Sequence, residues 1–140
     1  MKVPAWMLLG LILSILIMDI SKVWMVRNRV ITAVEQSLDA ALVAGINVND
    51  VRYGKSVIDE AAGYTYARSY FKANLKLNDN LENDLLKDTE YTLTFIQDDD
   101  RPKATIEVKT NIQAMSPKLV GLDAIPITIH KAQYHISKYN

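Results

Sequence analysis

The most conspicuous candidates for chemistry in this sequence are three consecutive aspartates, Asp98, Asp99 and Asp100. Clustered carboxylates suit a hard cation such as Ca²⁺. An EF-hand loop, however, alternates its ligands with other residues and adds a turn glycine and a distal glutamate, none of which is present here. We therefore expect the aspartates to form a solvated turn, a conformation that aspartate favours.

Two histidines, His130 and His135, lie five residues apart in a predicted strand. Residues at that spacing face opposite sides of a regular strand, so the imidazoles could bind one metal ion only if a bulge intervened. The chain also has no cysteine, which excludes thiolate metal sites and a cysteine nucleophile. It contains no glycine-rich phosphate loop, G-x-S-x-G elbow or H-E-x-x-H helix, so we predict no enzyme activity, no cofactor and no metal.

Charge and length restrict the remaining classes of function. Sixteen Lys and Arg balance sixteen Asp and Glu in 140 residues, so no net field attracts nucleic acid. A chain of this length favours one compact domain with at most one appended element. Much of the 49% hydrophobic content lies in the first 46 residues, which points to residues 1–46 as a membrane or assembly helix and to residues 47–140 as a head.

Residues 3–18 carry no charge, and Ser14 is their only polar side chain. As a helix this run is about 24 Å long, somewhat short of the ~30 Å hydrocarbon core. A cleaved signal peptide would need a small-residue cleavage site, which residues 19–24 do not offer. A buried core helix would need a larger chain to enclose it. The sequence therefore favours a membrane helix that starts near Pro4 and extends to about Val26.

The flanks of this predicted membrane helix suit a membrane interface. Trp6 and Trp24 would lie near the two interfaces, and Lys2 would extend its ammonium group toward water. The basic residues that follow favour a cytoplasmic flank under the positive-inside tendency, whereas Lys2 argues weakly for the opposite orientation. The residues assigned to the membrane and assembly helix are Lys2, Pro4, Trp6, Leu9, Leu13, Leu16, Asp19 and Trp24.

The helix is expected to continue beyond the membrane. Residues 20–46 contain no proline, and their only glycine is Gly45, a residue typical of helix ends. Residues 4–45 would then form one helix about 63 Å long. Its apolar stripe becomes small toward the C-terminal end, which allows close packing either on the head or on a neighbouring subunit. The predicted packing residues are Val30, Ala33, Ser37, Ala41 and Ala44.

Residues 18–46, MDISKVWMVRNRVITAVEQSLDAALVAGI, resemble the region after the membrane helix in TadE/TadG-like pilus-assembly proteins. The matching features are Asp19 at the end of the apolar run, Arg27 and Arg29, and the run DAALVAG at residues 39–45. The resemblance implies a pilin-like subunit with a membrane-inserted N-terminal helix, an extracytoplasmic head and no catalysis. Copies of itself or related subunits would be its partners. Ala5 departs from the glutamate expected there in ordinary type IV pilins.

The remaining residues predict a small α+β head of one or two helices packed on an antiparallel sheet of about three strands. Apolar residues at helical spacing predict a helix over residues 57–76, capped by Ser56. Asn78 and Asp79 could cap a further helix of at most two turns. Tyr64 and Tyr134 fall on apolar stripes, which favours positions in the core.

Alternating apolar residues predict a hairpin from residues 91–95 and 104–110. A third strand over residues 125–139 changes parity along its length, and a β-bulge near His130 or Lys131 would explain the change. Residues 115–124 contain a proline and a glycine and read as a connecting loop.

These features predict a structural subunit of an extracellular pilus-like filament, with a single-pass pseudopilin or accessory component of a secretion machine as the alternative. A membrane-anchored enzyme or sensor is disfavoured by the missing motifs. Asp19 follows an apolar segment, where an unpaired carboxylate is costly. We expect the amino terminus or Lys2 of a neighbouring subunit to pair with it.

Overall fold

The computed structural model describes residues 3–46, 58–98, 101–119 and 121–135. Within these residues the chain is α+β, as predicted, with a long N-terminal helix, a further helix and an antiparallel sheet of strand order β1-β2-β3. The elements in chain order are α1 (Ala5–Gly45), α2 (Glu60–Leu75), β1 (Leu86–Asp98), β2 (Arg101–Ile112), α3 (Ser116–Leu119) and β3 (Ile125–Tyr134).

Helix α1 is continuous over 41 residues. Pro4 precedes it in an extended conformation, and its carbonyl accepts a hydrogen bond of 2.9 Å from the Met7 N–H. Proline suits this position because its missing N–H would have no helical partner. At the other end the helix stops at Gly45, where Ile46 becomes extended.

The core lies between the second half of α1, helix α2 and the sheet. Val26, Val30 and Val34 recur every fourth residue of α1, so they share one face, and each is at most 3% exposed. They belong to the same buried cluster as Phe71 of α2 and Ile106 of β2. The second half of α1 is therefore part of the head's core, although it is one helix with the apolar N-terminal run.

Small residues bring α1 and α2 close together. A Cβ atom on Gly63 would lie 2.6 Å from Cζ of Phe95 and 3.0 Å from the carbonyl oxygen of Ala41. Gly45 of α1 also approaches the α2 backbone, since a Cβ there would lie 3.7 Å from Cα of Gly63. Of the two uses predicted for the small-residue stripe, the structure shows packing within the chain.

Helix α2 begins at Glu60, later than predicted. Its cap is Asp59, whose carboxylate accepts from the Ala62 N–H at 3.0 Å. Ser56, the predicted cap, lies outside the described residues. The helix ends where Lys76 adopts a left-handed conformation with φ of 53°.

The short helix predicted after Asn78 is wrong. The side-chain oxygen of Asn78 accepts from the backbone N–H groups of Asn80 and Glu82, each at 3.0 Å, and Leu81 has φ of 59°. Asn83 likewise accepts from two backbone N–H groups, at 2.8 Å each. These side chains take the donors that a helix would use, so the segment is built from turns.

The predicted hairpin is present, with Tyr91 opposite Val108 and Phe95 opposite Ala104. Its register shifts between Lys87 and Glu90 of β1, where Asp88 has φ of 50°. The irregularity of the sheet therefore lies in β1 and not in β3.

Strand β3 pairs with β2 in unbroken register from Ile112–Ile125 to Lys103–Tyr134, so the bulge predicted near His130 or Lys131 is wrong. Ala132 and Tyr134 consequently face away from the helices. Tyr134 is 44% exposed, with the Lys103 ammonium 5.1 Å from its ring centre. The core position predicted for Tyr134 is wrong because strict alternation places this aromatic residue on the outer face.

Tyr64 is also not a core residue. It is 41% exposed, and its ring packs edge-on against Tyr91 with the centroids 6.2 Å apart. The predicted loop after β2 contains the four-residue helix α3, which contacts α1.

Candidate membrane and assembly interface

The apolar half of α1 is exposed on all sides. Because successive residues of a helix are 100° apart, a run of consecutive apolar residues covers its whole circumference. Ile15 is half-buried, and the exposed fractions of the other large side chains run from 39% at Leu16 to 78% at Trp6. The exposed large apolar residues of this half are Trp6, Met7, Leu8, Leu9, Leu11, Ile12, Leu13, Leu16, Ile17 and Met18, and Val3 before the helix is also exposed.

This helix is long and apolar enough to cross a membrane. An 18-residue window has a mean hydropathy of 2.0, and only 11% of that window is buried within the described chain. A helix in the core of a soluble protein would be mostly buried. The interpretation of this run as a core helix enclosed by its own head therefore does not fit the described residues.

The polar groups within the apolar half are satisfied locally. The Ser14 hydroxyl donates to the carbonyl of Gly10 at 2.9 Å, so it needs no partner from water or another chain.

Trp24 is 67% exposed and follows Trp6 by about 27 Å along the helix axis. That separation approximates the thickness of a hydrocarbon core. Lys2, predicted at the outer end, lies outside the described residues.

Asp19 marks the end of the exposed apolar half. It is 5% exposed, and its carboxylate accepts a hydrogen bond from the backbone N–H of Ser116, the first residue of α3. The carboxylate thus has a donor within its own chain. The reason for expecting a neighbouring Lys2 or amino terminus at Asp19 no longer holds. Sequence reasoning missed this contact because it joins residues 97 apart.

The predicted packing residues lie on the head side of α1. Four of them are buried and Ala44 is partly buried; the buried ones are Val30, Ala33, Ser37 and Ala41. These residues face the interior of the head and are covered by the same chain. The membrane and assembly residues Trp6, Leu9, Leu13, Leu16 and Trp24 are exposed instead.

Ser37 joins three elements through a buried hydrogen-bond chain. Its hydroxyl donates to the carbonyl of Ala67 in α2 at 2.7 Å and lies 2.7 Å from the Tyr91 hydroxyl of β1. A serine hydroxyl has one proton, so Tyr91 must donate to Ser37. Burial raises the pKa of the Tyr91 phenol to about 12.

The candidate metal ligands do not come together in the described part of the chain. His130 is exposed on β3. His135 follows the strand, and its backbone N–H donates to the Pro102 carbonyl at 2.8 Å. Among the described residues no group of three His, Cys, Asp or Glu could hold a metal ion. Asp98 ends β1, and Asp99 and Asp100 lie outside the described residues.

No protein-family model, curated protein or solved structure matches this chain. The function is therefore indicated by the exposed apolar half of α1 and by the junction at Asp19, where this half meets the head.

Proposed function

We propose that this chain is a structural subunit of an extracellular pilus-like filament, assembled through its hydrophobic N-terminal helix. The observation that carries this proposal is the continuity of α1, whose exposed apolar half extends from a head that its second half helps to build. An apolar surface of this kind needs cover from lipid or from other chains. The protein has a structural role and no enzyme activity.

The length of the apolar run favours assembly over permanent residence in lipid. Residues 3–18 span about 24 Å, less than a typical hydrocarbon core of ~30 Å. Helices that leave the bilayer and pack beside one another would bury the same side chains against copies of themselves. Because each copy would present one surface to a different surface of the next, such contacts extend into a helical filament. The resemblance of residues 18–46 to TadE/TadG-like proteins supports this choice.

A single-pass membrane-anchored pseudopilin or accessory component is the second candidate. The observation that favours it is the separation of Trp6 and Trp24 by about 27 Å along the helix axis, which suits tryptophans at the two membrane interfaces. In that case lipid would cover the apolar half of α1 permanently. The protein would then remain in the membrane fraction.

Mechanical shearing of cells that make the protein separates these two functions. We expect electron microscopy of the sheared material to show fibres, and mass spectrometry of the purified fibres to detect peptides from residues 58–135. An integral membrane protein followed in parallel controls for cell lysis. Recovery of the chain only with the membranes, without fibres, would contradict the filament and favour the anchored component.

A further inference from the structure

A second exposed apolar patch lies on the loop between β2 and β3. Met115 is 65% exposed, and Leu119 and Leu122 are each 61% exposed. The neighbouring Pro117 is buried. We call these three exposed side chains the loop patch, since they come within eight residues of one another along the chain.

Two backbone hydrogen bonds join the described residues of this loop on either side of residue 120. The Leu122 N–H donates to the Pro117 carbonyl at 2.8 Å, and the Gly121 N–H donates to the Lys118 carbonyl at 3.4 Å. Gly121 has φ of 78°, a conformation that glycine adopts without steric cost. In helix-ending turns of this kind the apolar residue after the glycine commonly packs on the helix. Leu122 is exposed instead, so the turn presents it outward.

The loop patch lies beside the point on α1 where the apolar half ends. The bond between Asp19 and Ser116 fixes the start of α3 beside the first residue after the uncharged run of residues 3–18. If the apolar half of α1 is in a bilayer, this level of the head is at the bilayer surface. The patch is thus continuous with the surface already proposed to contact lipid.

Basic side chains lie at the same level. Lys118 is exposed on α3, and Lys22 follows Asp19 by about one turn of α1. Apolar side chains beside basic ones are typical of surfaces that lie in the interface of a bilayer with anionic lipids. Lysine and arginine can place their aliphatic stems along the apolar region and their charges among the phosphates.

We propose that the loop patch is a second membrane-contact element, which inserts Met115, Leu119 and Leu122 into the headgroup region of the bilayer that holds the N-terminal helix. This inference rests on the membrane-inserted state that precedes assembly in the proposed function. The helix alone leaves the tilt of the head relative to the bilayer unfixed. A second contact displaced from the helix axis restricts that tilt.

Depth-dependent fluorescence quenching tests this proposal on the full chain. Because the chain has no cysteine, the variants Leu9→Cys, Leu119→Cys and Val43→Cys can each carry one environment-sensitive label. Each protein is reconstituted into vesicles of phosphatidylcholine and phosphatidylglycerol that contain a nitroxide-labelled lipid. Val43 is the matched control, since it is 77% exposed and lies about 36 Å beyond Asp19 along α1.

We expect the nitroxide lipid to quench the labels at positions 9 and 119 at least several-fold more than the label at position 43. Replacement of phosphatidylglycerol by phosphatidylcholine should reduce quenching at position 119 and leave position 9 unchanged. Quenching at position 9 with none at position 119 overturns the loop contact and leaves membrane insertion intact. Absence of quenching at both positions overturns insertion and the loop contact together.

A second copy of the chain is the other occupant that the test can reveal. Contact between copies would shift the emission of the position 119 label in proportion to protein density in the vesicles, with no dependence on the nitroxide lipid. That result would overturn the lipid contact. All three labelled positions are exposed in the described structure, so each substitution is expected to leave the fold intact.

Discussion

The two halves of α1 are both apolar but present their apolar residues differently. In residues 5–18 the apolar side chains cover the whole circumference and all but Ile15 are exposed. From Val26 onward most apolar side chains form one buried stripe, with Val43 as an exposed exception. Arg27, Arg29 and Glu35 occupy exposed positions of the second half. The comparison shows that the arrangement of apolar residues around a helix decides whether its own chain can cover them.

Substitution of a core residue should give the largest difference between the two halves, because it should destabilise the head without changing the exposed apolar half. Phe71 is fully buried, with its ring centre 5.0 Å from that of Tyr91. We expect Phe71→Ala to lower the free energy of unfolding by about 3–5 kcal/mol, because it removes buried apolar area and leaves a cavity. Urea denaturation of the full chain in detergent micelles, followed by near-ultraviolet circular dichroism, measures this change.

Flotation with vesicles provides the control for Phe71→Ala. The apolar half of α1 does not depend on the core for its exposure, so binding to vesicles should be unchanged. A loss of flotation in Phe71→Ala would show that the two halves do not act independently.

A charge in the exposed half should have the next largest effect. We expect Leu13→Arg to cost about 2.5–3.5 kcal/mol of membrane insertion, equivalent to roughly 100-fold weaker partitioning, with unfolding of the head unaffected. Val43→Arg places the same charge on the second half, at a residue 77% exposed. Vesicle flotation should distinguish the two variants, and an equal loss in both would contradict the assignment of the membrane surface to residues 5–18.

Replacement of a glycine by alanine should affect stability in α2 but not in the exposed half of α1, and the difference in stability should be smaller than for the preceding variants. In Gly63→Ala the new Cβ would crowd Phe95 and the Ala41 carbonyl, so we expect about 1–3 kcal/mol of destabilisation. Gly10 has nothing within 4 Å of its position for a Cβ, and Gly10→Ala should leave the head's stability unchanged. Urea denaturation compares the two variants. Equal stability of both proteins would argue against the close approach of α1 and α2.

The smallest expected effect concerns the hydrogen bond from Tyr91 to Ser37. We expect Tyr91→Phe to cost about 0.5–1.5 kcal/mol, because the Ser37 oxygen loses its donor while the Ser37 hydroxyl still donates to Ala67. Urea denaturation at neutral pH measures this cost.

The pH dependence of stability measures the burial of the Tyr91 phenol. The pKa of Tyr91 is raised from 10.0 to about 12 in the folded chain, so the unfolded chain releases this proton first as the pH rises. The contribution of Tyr91 is complete below pH 10 and is lost between pH 10 and about 12. Tyr91→Phe should therefore lose less stability than the wild type over this interval. Parallel curves would contradict a buried, neutral phenol.

Local patterns were enough to predict most of the fold. The helical period over residues 20–46 and the alternation in the hairpin depend on neighbours along the chain, so both could be recognised in the sequence. The turns after Asn78 were missed because asparagine can either cap a helix or bind the backbone of a turn. The parity of β3 was misjudged because apolar residues occupy both of its faces, and only the register with β2 decides which face is inward.

The exposed apolar half of α1 could be predicted from the sequence, but the junction between this half and the head at Asp19 could not. Exposure of residues such as Trp6 and Leu13 follows from apolar character around the whole helix. The bond from Ser116 to Asp19 joins distant parts of the chain, as does the bond from Tyr91 to Ser37. No periodicity in the sequence encodes either contact, and the loop patch beside Asp19 could be located only after the junction was known.

The unbroken course of α1 gives the chain a mechanical property. Ala5–Gly45 contains 41 residues and is about 62 Å long, so a pull on its N-terminal end acts on the head as tension along one rod. The second half of the rod packs against α2 and the sheet over several turns. The load would therefore be shared among many side-chain contacts in shear, and the bond between Asp19 and Ser116 would be the first contact to bear it.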